Sequence, residues 1–125
     1  MAVVLVSGDL MGASRVEGAA RLAGAEFRMV GNVDDAVAAC TEQPVKLVLV
    51  DLATSALDLA ALVERIRSRS EIAPAIVAYG PHVHEAVLEA EKAAGCDRVL
   101  SRGQFMAHAD RIIAHYAAAA SKAAD

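Results

Sequence analysis

Short, unbroken apolar runs alternate along this chain with longer stretches in which apolar positions recur every three or four residues. The runs Ala2–Ser7, Glu26–Val30, Lys46–Asp51, Ala75–Tyr79 and Asp97–Leu100 are too short for helices and rich in Val, Leu and Ile, so the pattern predicts strands. Helical periodicity covers residues 11–24, 33–42, 56–69 and 81–94, and extends from 102 towards 120. Leu59, Leu62, Val63 and Ile66 form one such stripe, and Val83, Val87, Ala90 and Ala94 form another. Strands that are apolar throughout, with no polar alternation, have both faces covered, as in a parallel sheet with helices on each side. Strands alternating with helices define a doubly wound α/β domain, expected to occupy all of residues 1–125.

Local punctuation agrees. Gly24 closes the first helix, Pro44 stops the second, and Gly80–Pro81 places a proline where a first helical turn tolerates a missing N–H. Ser101 to Gln104 has capping-box spacing, and Ser55 with Asp58 has a similar one. Together these put the loops that follow strands at one end of the sheet, the carboxyl edge, where open α/β sheets bind ligands. Ser7–Gly8–Asp9, Asp51, Tyr79–Gly80 and Ser101–Arg102 all fall there. Asp51 stands out because an apolar run ends on a carboxylate, with Thr54 and Ser55 close behind. Such a group either caps its own turn by accepting N–H groups near Ala53–Ser55 or carries chemistry.

Composition narrows the classes. The formal net charge is −4 with a pI near 5.5, which offers no basic field for nucleic acid or an anionic membrane. The aromatics are Phe27, Tyr79, Phe105 and Tyr116 alone, too few for base-stacking platforms. Cys40 and Cys96 make no CxxC pair and fit a reduced, cytoplasmic setting. The apolar opening Ala2–Val6 is too short for a leader or a membrane span.

Five βα units, an Asp closing the third strand and Gly95–Cys96–Asp97 before the fifth resemble the receiver domains of two-component response regulators, of the CheY type. The resemblance implies a flavodoxin-like five-stranded parallel sheet, order 2-1-3-4-5, with helices on both faces. It places the phosphoacceptor at Asp51. The family's acidic, Mg²⁺-holding pair falls on Ser7 and Gly8, with Asp9 just beyond. Its switch Ser or Thr falls on Tyr79, or on Gly80, and its Lys before a cis-Pro falls on Arg102, followed by Gly103. The acceptor is kept and most of its machinery is replaced, the pattern of a pseudo-receiver. Asp9 and Asp51 are the remaining candidates for Mg²⁺, and two isolated carboxylates are few for an ion that wants an octahedral oxygen set.

The other motifs read more plainly. The loop Ser7–Ser14 matches no phosphate-loop spacing and fits a tight turn under a closely packed helix. His82 lines the same edge, but a helix would turn His82 and His84 apart, against a shared metal. Arg65, Arg67 and Arg69, bracketed by Glu64 and Glu71, read as a solvated helix face. The resemblance implies a contact face, for a partner or a second copy, built from the fourth helix (81–94), the fifth strand and the last helix, and Phe105, Met106, Ile112, Ile113 and Tyr116 give that last helix more apolar mass than one buried stripe needs.

The pocket expected at the carboxyl edge therefore comprises Ser7, Gly8, Asp9, Thr54, Tyr79, Gly80, His82 and Arg102 around Asp51, with Arg102 paired to Asp9 or Asp51 or swung out to solvent. The expected function is a stand-alone pseudo-receiver that signals by binding another protein, is not an enzyme, and needs no cofactor. The alternatives are a response regulator phosphorylated at Asp51 and a small-ligand or nucleotide sensor using the same pocket.

Overall fold

The computed structural model describes residues 1–69, 73–80 and 94–124. Five parallel strands, β1 (Ala2–Val6), β2 (Glu26–Val30), β3 (Val45–Asp51), β4 (Ala75–Gly80) and β5 (Arg98–Ser101), form one sheet in the order β2-β1-β3-β4-β5. The helices are α1 (Leu10–Leu22), α2 (Val33–Glu42), α3 (Leu59–Arg69), α4 (Arg102–Ala107) and α5 (Ala109–Ala124). The expected helix over 81–94 lies outside the described residues, and His82 and His84 lie there with it.

Side chains alternate across each strand, so the central runs serve two cores at once. Val3, Leu5, Leu47, Leu49, Val77 and Tyr79 face α1, α4 and α5. Val4, Val6, Val48, Val50, Ile76 and Ala78 face α2 and α3. The α3 stripe of Leu59, Leu62, Val63 and Ile66 is buried as its spacing requires.

The termini follow local chemistry. Gly24 adopts φ +75° past the end of α1, and Ala25 N–H reaches back to the Ala20 carbonyl at 2.9 Å, closing a left-handed C-terminal cap. Asp97 explains its place before β5: its carboxylate accepts the Ile76 N–H of β4 at 2.7 Å and the Arg67 guanidinium at 3.1 Å.

Several expectations are corrected. Helix α3 starts at Leu59, because Asp58 rather than Ser55 caps it, accepting Ala61 N–H at 3.1 Å. Ala56, inside the expected helix, has φ +57°, which no right-handed helix allows. The single long helix from 102 is broken at His108, whose φ of −123° ends α4. Glu64, Arg67 and Arg69 are exposed, as a solvated helix face requires, and from that face Arg65 and Arg67 also reach Asp34 at 2.6 Å and Asp97 at 3.1 Å. The apolar surplus near the end of the chain is absent. Phe105, Ile112 and Ile113 are buried, and Met106 and Tyr116 pack against the same core.

Candidate functional site

The carboxyl edge of the sheet brings Gly8, Asp9, Asp51, Thr54 and Arg102 around one cleft of about 410 Å³, with Gly31, Ala53 and Ser55 completing its wall and Ser7 bonded to Asp51 without lining it. Tyr79 and Gly80 end β4 beneath it and are buried. Asp51 emerges from the most central strand and is itself buried, as is Ser7.

Buried polar groups need partners, and these have them. The Ser7 hydroxyl donates to Asp51 Oδ2 at 2.8 Å, and Ala53 N–H donates to Asp51 Oδ1 at 3.0 Å. The Ser7 oxygen in turn accepts Asp9 N–H at 3.0 Å, which folds the loop after β1 over the acid. Asp51 thus takes the expected bond from its own turn. Its hydroxyl donor is Ser7; Thr54 instead leans to the Val6 carbonyl at 3.4 Å.

Asp9 is the N-cap of α1, with Oδ1 accepting Met11 N–H at 3.1 Å. Its Oδ2 carries an ion pair to the Arg102 guanidinium. Of the fates open to Arg102, pairing with Asp9 is the one adopted. The Arg102 contact, aided by the Gly12 N–H, holds the Asp9 carboxyl below its ordinary range. Gly12 is what lets Asp9 lie so close. A Cβ there would meet Asp9 Oδ2 at 2.8 Å and Met106 Cε at 3.2 Å. Sequence reasoning treated this loop as packing and missed that a helical glycine seats the acid; its spacing three residues after Asp9 was the available signal.

Tyr79 is the second displaced part. Its ring stacks on Phe105, with centroids 4.4 Å apart and planes 4° from parallel. Burial, reinforced by the Asp51 charge, pushes its hydroxyl well above the usual tyrosine range, while contact with the Ser7 hydroxyl pulls slightly the other way. It is therefore part of the core floor rather than a free pocket wall.

The cleft offers a divalent metal two carboxylates, both already engaged. Ser7 and Gly8 offer no carboxylate, and all four oxygens of Asp9 and Asp51 accept hydrogen bonds from within the protein. Among the described residues no group of three His, Cys, Asp or Glu side chains is placed to hold a metal ion.

No family model and no curated protein matches this chain. Solved structures do. A response regulator from Thermotoga maritima matches with TM-score 0.79 at 15% identity, covering 94% of this chain and 97% of that one. The receiver domain of a Pseudomonas aeruginosa sensor histidine kinase, which coordinates magnesium in its active-site cleft, matches with TM-score 0.75 at 20% identity, over 93% and 96%. A Saccharomyces cerevisiae response-regulator receiver, solved with a histidine phosphotransfer protein, matches with TM-score 0.68 at 19% identity, over 82% and 78%. The fold is the CheY-like receiver fold, in the flavodoxin-like strand order read from the sequence.

Proposed function

We propose that this protein is a pseudo-receiver: it acts in signal transduction by contacting another signalling protein, without efficient phosphorylation and with no enzymatic activity or cofactor of its own. One observation carries the reading, the internal engagement of the carboxylates at the cleft, Asp9 by Arg102 and Asp51 by Ser7 and Ala53. Phosphoryl transfer needs a metal and positioned cations to balance charge building on the transferring group. Here the metal-holding pair implied by the resemblance is Ser7–Gly8, which carries no charge. The switch hydroxyl is replaced by a tyrosine stacked into the core.

The partner contact falls on the outer face of β5, α4 and α5. The expected apolar patch there is buried, so recognition is polar. Arg98, Gln104, His108, Arg111 and His115 surround a cleft of about 430 Å³ floored by Leu100 and Ile112. A second copy of the chain is the alternative occupant, and light scattering over a concentration series with an Arg98→Glu/Arg111→Glu variant separates the two. The cytoplasm is the proposed setting, on the strength of a sequence with two cysteines and no CxxC pair. No described helix is long and apolar enough to cross a membrane.

Incubation with Mg²⁺ and acetyl phosphate or beryllofluoride, read by mass spectrometry and NMR, tests the central claim. The expected result is no stoichiometric change. Full modification lost in Asp51→Asn would establish a phosphorylated response regulator instead. Shifts at Gly8, Thr54 and Arg102 on adding a nucleotide would favour a ligand sensor.

A further inference from the structure

We infer that Arg102 is the resident cation of the cleft: its guanidinium, seated on Asp9, stands in for a divalent ion and makes the charge state of the site independent of metal. This rests on the pseudo-receiver reading and specifies how the site is set.

Both partners are anchored by backbone. Arg102 opens α4 directly after Ser101, whose hydroxyl accepts Gln104 N–H at 3.2 Å while Gln104 Oε1 accepts Ser101 N–H at 3.2 Å. Asp9 is fixed at the other end by its cap to Met11 and by the space Gly12 leaves open. The ion pair therefore ties the loop after β1 to the loop after β5 across the carboxyl edge. Guanidinium suits this role because its fork is planar, permanently charged and weakly hydrated.

A metal would have to displace that group. Mg²⁺ takes about six oxygens in near-octahedral geometry and gives up water reluctantly. Here every carboxylate oxygen already accepts a hydrogen bond. A tethered cation competes at an effective concentration in about the millimolar range. Solvent reaches the pair, with side-chain exposures of 39% and 30%, so the attraction itself is screened. The ion is kept out because the seat is already taken, more than by the strength of the pair.

The test is a Mn²⁺ titration of the full chain followed by paramagnetic broadening of backbone amides, with Mg²⁺ thermal shifts at matched ionic strength. In the wild type, amides of residues 7–9 and 51–55 keep their intensity up to about 1 mM Mn²⁺, the range set by the tethered competitor, and Mg²⁺ leaves the melting temperature unchanged. In Arg102→Ala, removal of a unit charge a few ångströms away raises Mn²⁺ affinity about tenfold or more, and Mg²⁺ raises the melting temperature. Asp9→Asn added to Arg102→Ala abolishes both responses. Arg102→Gln gives the same measurement if the alanine variant does not fold. Equal broadening of wild type and variant would overturn the inference, as would a folded Arg102 variant with no gain. A wild type that binds Mn²⁺ yet resists acetyl phosphate sinks this inference alone. One that excludes Mn²⁺ but shows no protein partner sinks only the functional reading.

Discussion

Tyr79 offers the sharpest check on whether the site is locked. A side chain in the switch position that could rotate outward would ionise near the ordinary tyrosine value of 10.0; one pinned between β4 and Phe105 would not. The sign follows from linkage. The folded-state value is raised, so the stabilisation is fully present below pH 10 and is lost as pH rises, because the unfolded chain releases the proton first. With an unfolded value near 10, the loss amounts to about 1 kcal/mol between pH 10 and 11 and about 1.4 kcal/mol for each further unit. Against a typical total of about 5–15 kcal/mol, that is measurable.

Tyr79→Phe is the perturbation. The ring still stacks on Phe105, so no cavity opens, and only the hydroxyl contact at Ser7 is lost. Near neutrality this costs about 1 kcal/mol. Urea unfolding at pH 7, 9, 10 and 11 gives the comparison, with tyrosinate absorbance as a second readout. The variant is expected to be less stable at pH 7, and the gap is expected to shrink by about 1.4 kcal/mol by pH 11, enough to close it, as the unfolded wild type releases the linked proton. Tyr116 is also raised, by burial, but it titrates alike in both proteins and drops out of the difference. A gap constant from pH 7 to 11, or ionisation of Tyr79 near pH 10 in the folded protein, refutes the locked floor.

Three further outcomes are expected. Arg102→Ala lets the Asp9 value rise towards 3.8; because the wild-type value is depressed, the stability tied to it is present above that pH and lost below, so the acid limb of a stability–pH curve flattens in the variant, and the NMR titration of the Asp9 carboxyl moves to higher pH. Gly12→Ala does not deliver the roughly 1 kcal/mol usually gained by removing a helical glycine, since its Cβ meets Asp9 Oδ2 at 2.8 Å; a full gain in urea unfolding would show that Asp9 is not held there. Ala56→Gly stabilises the protein by roughly 1 kcal/mol, relieving φ +57° in the loop beside Asp51, and an unchanged or lower urea midpoint would argue that the loop is not strained.

The sheet was legible because burial on both faces leaves a one-dimensional signature. Ala2–Val6 and Leu47–Val50 carry no polar residue, and only a covered parallel sheet tolerates that. Strand ends fell within a residue of their places. Helix starts were less legible: Ser55 with Asp58 has capping-box spacing, yet Asp58 is itself the cap, and the positive φ of Ala56 excludes the earlier start. The break at His108 has no glycine or proline to announce it. At the site, the positions of Asp51, Asp9 and Arg102 followed from strand order. Their pairing did not, because a spacing of 93 residues between Asp9 and Arg102 says nothing about which carboxylate a flexible guanidinium reaches.

The same contrast bears on how such a site persists. The residues that define the sheet are buried and mutually packed, and truncating a fully buried one such as Phe105 costs about 3–5 kcal/mol, a large part of a domain's stability. The residues that would run phosphotransfer sit at loop ends, where a change of charge is tolerated if the remaining charges are balanced. Here they are. Ser7 is the hydroxyl donor to Asp51, and Arg102 supplies the positive charge beside Asp9. A carboxylate buried to the depth of Asp51 could not be left without its donor: losing a hydrogen bond to a buried charge costs about 1.5–3 kcal/mol. Asp51 closes the third strand as a buried acid satisfied by Ser7 and by its own turn, and the cleft above it is spanned by the Asp9–Arg102 pair.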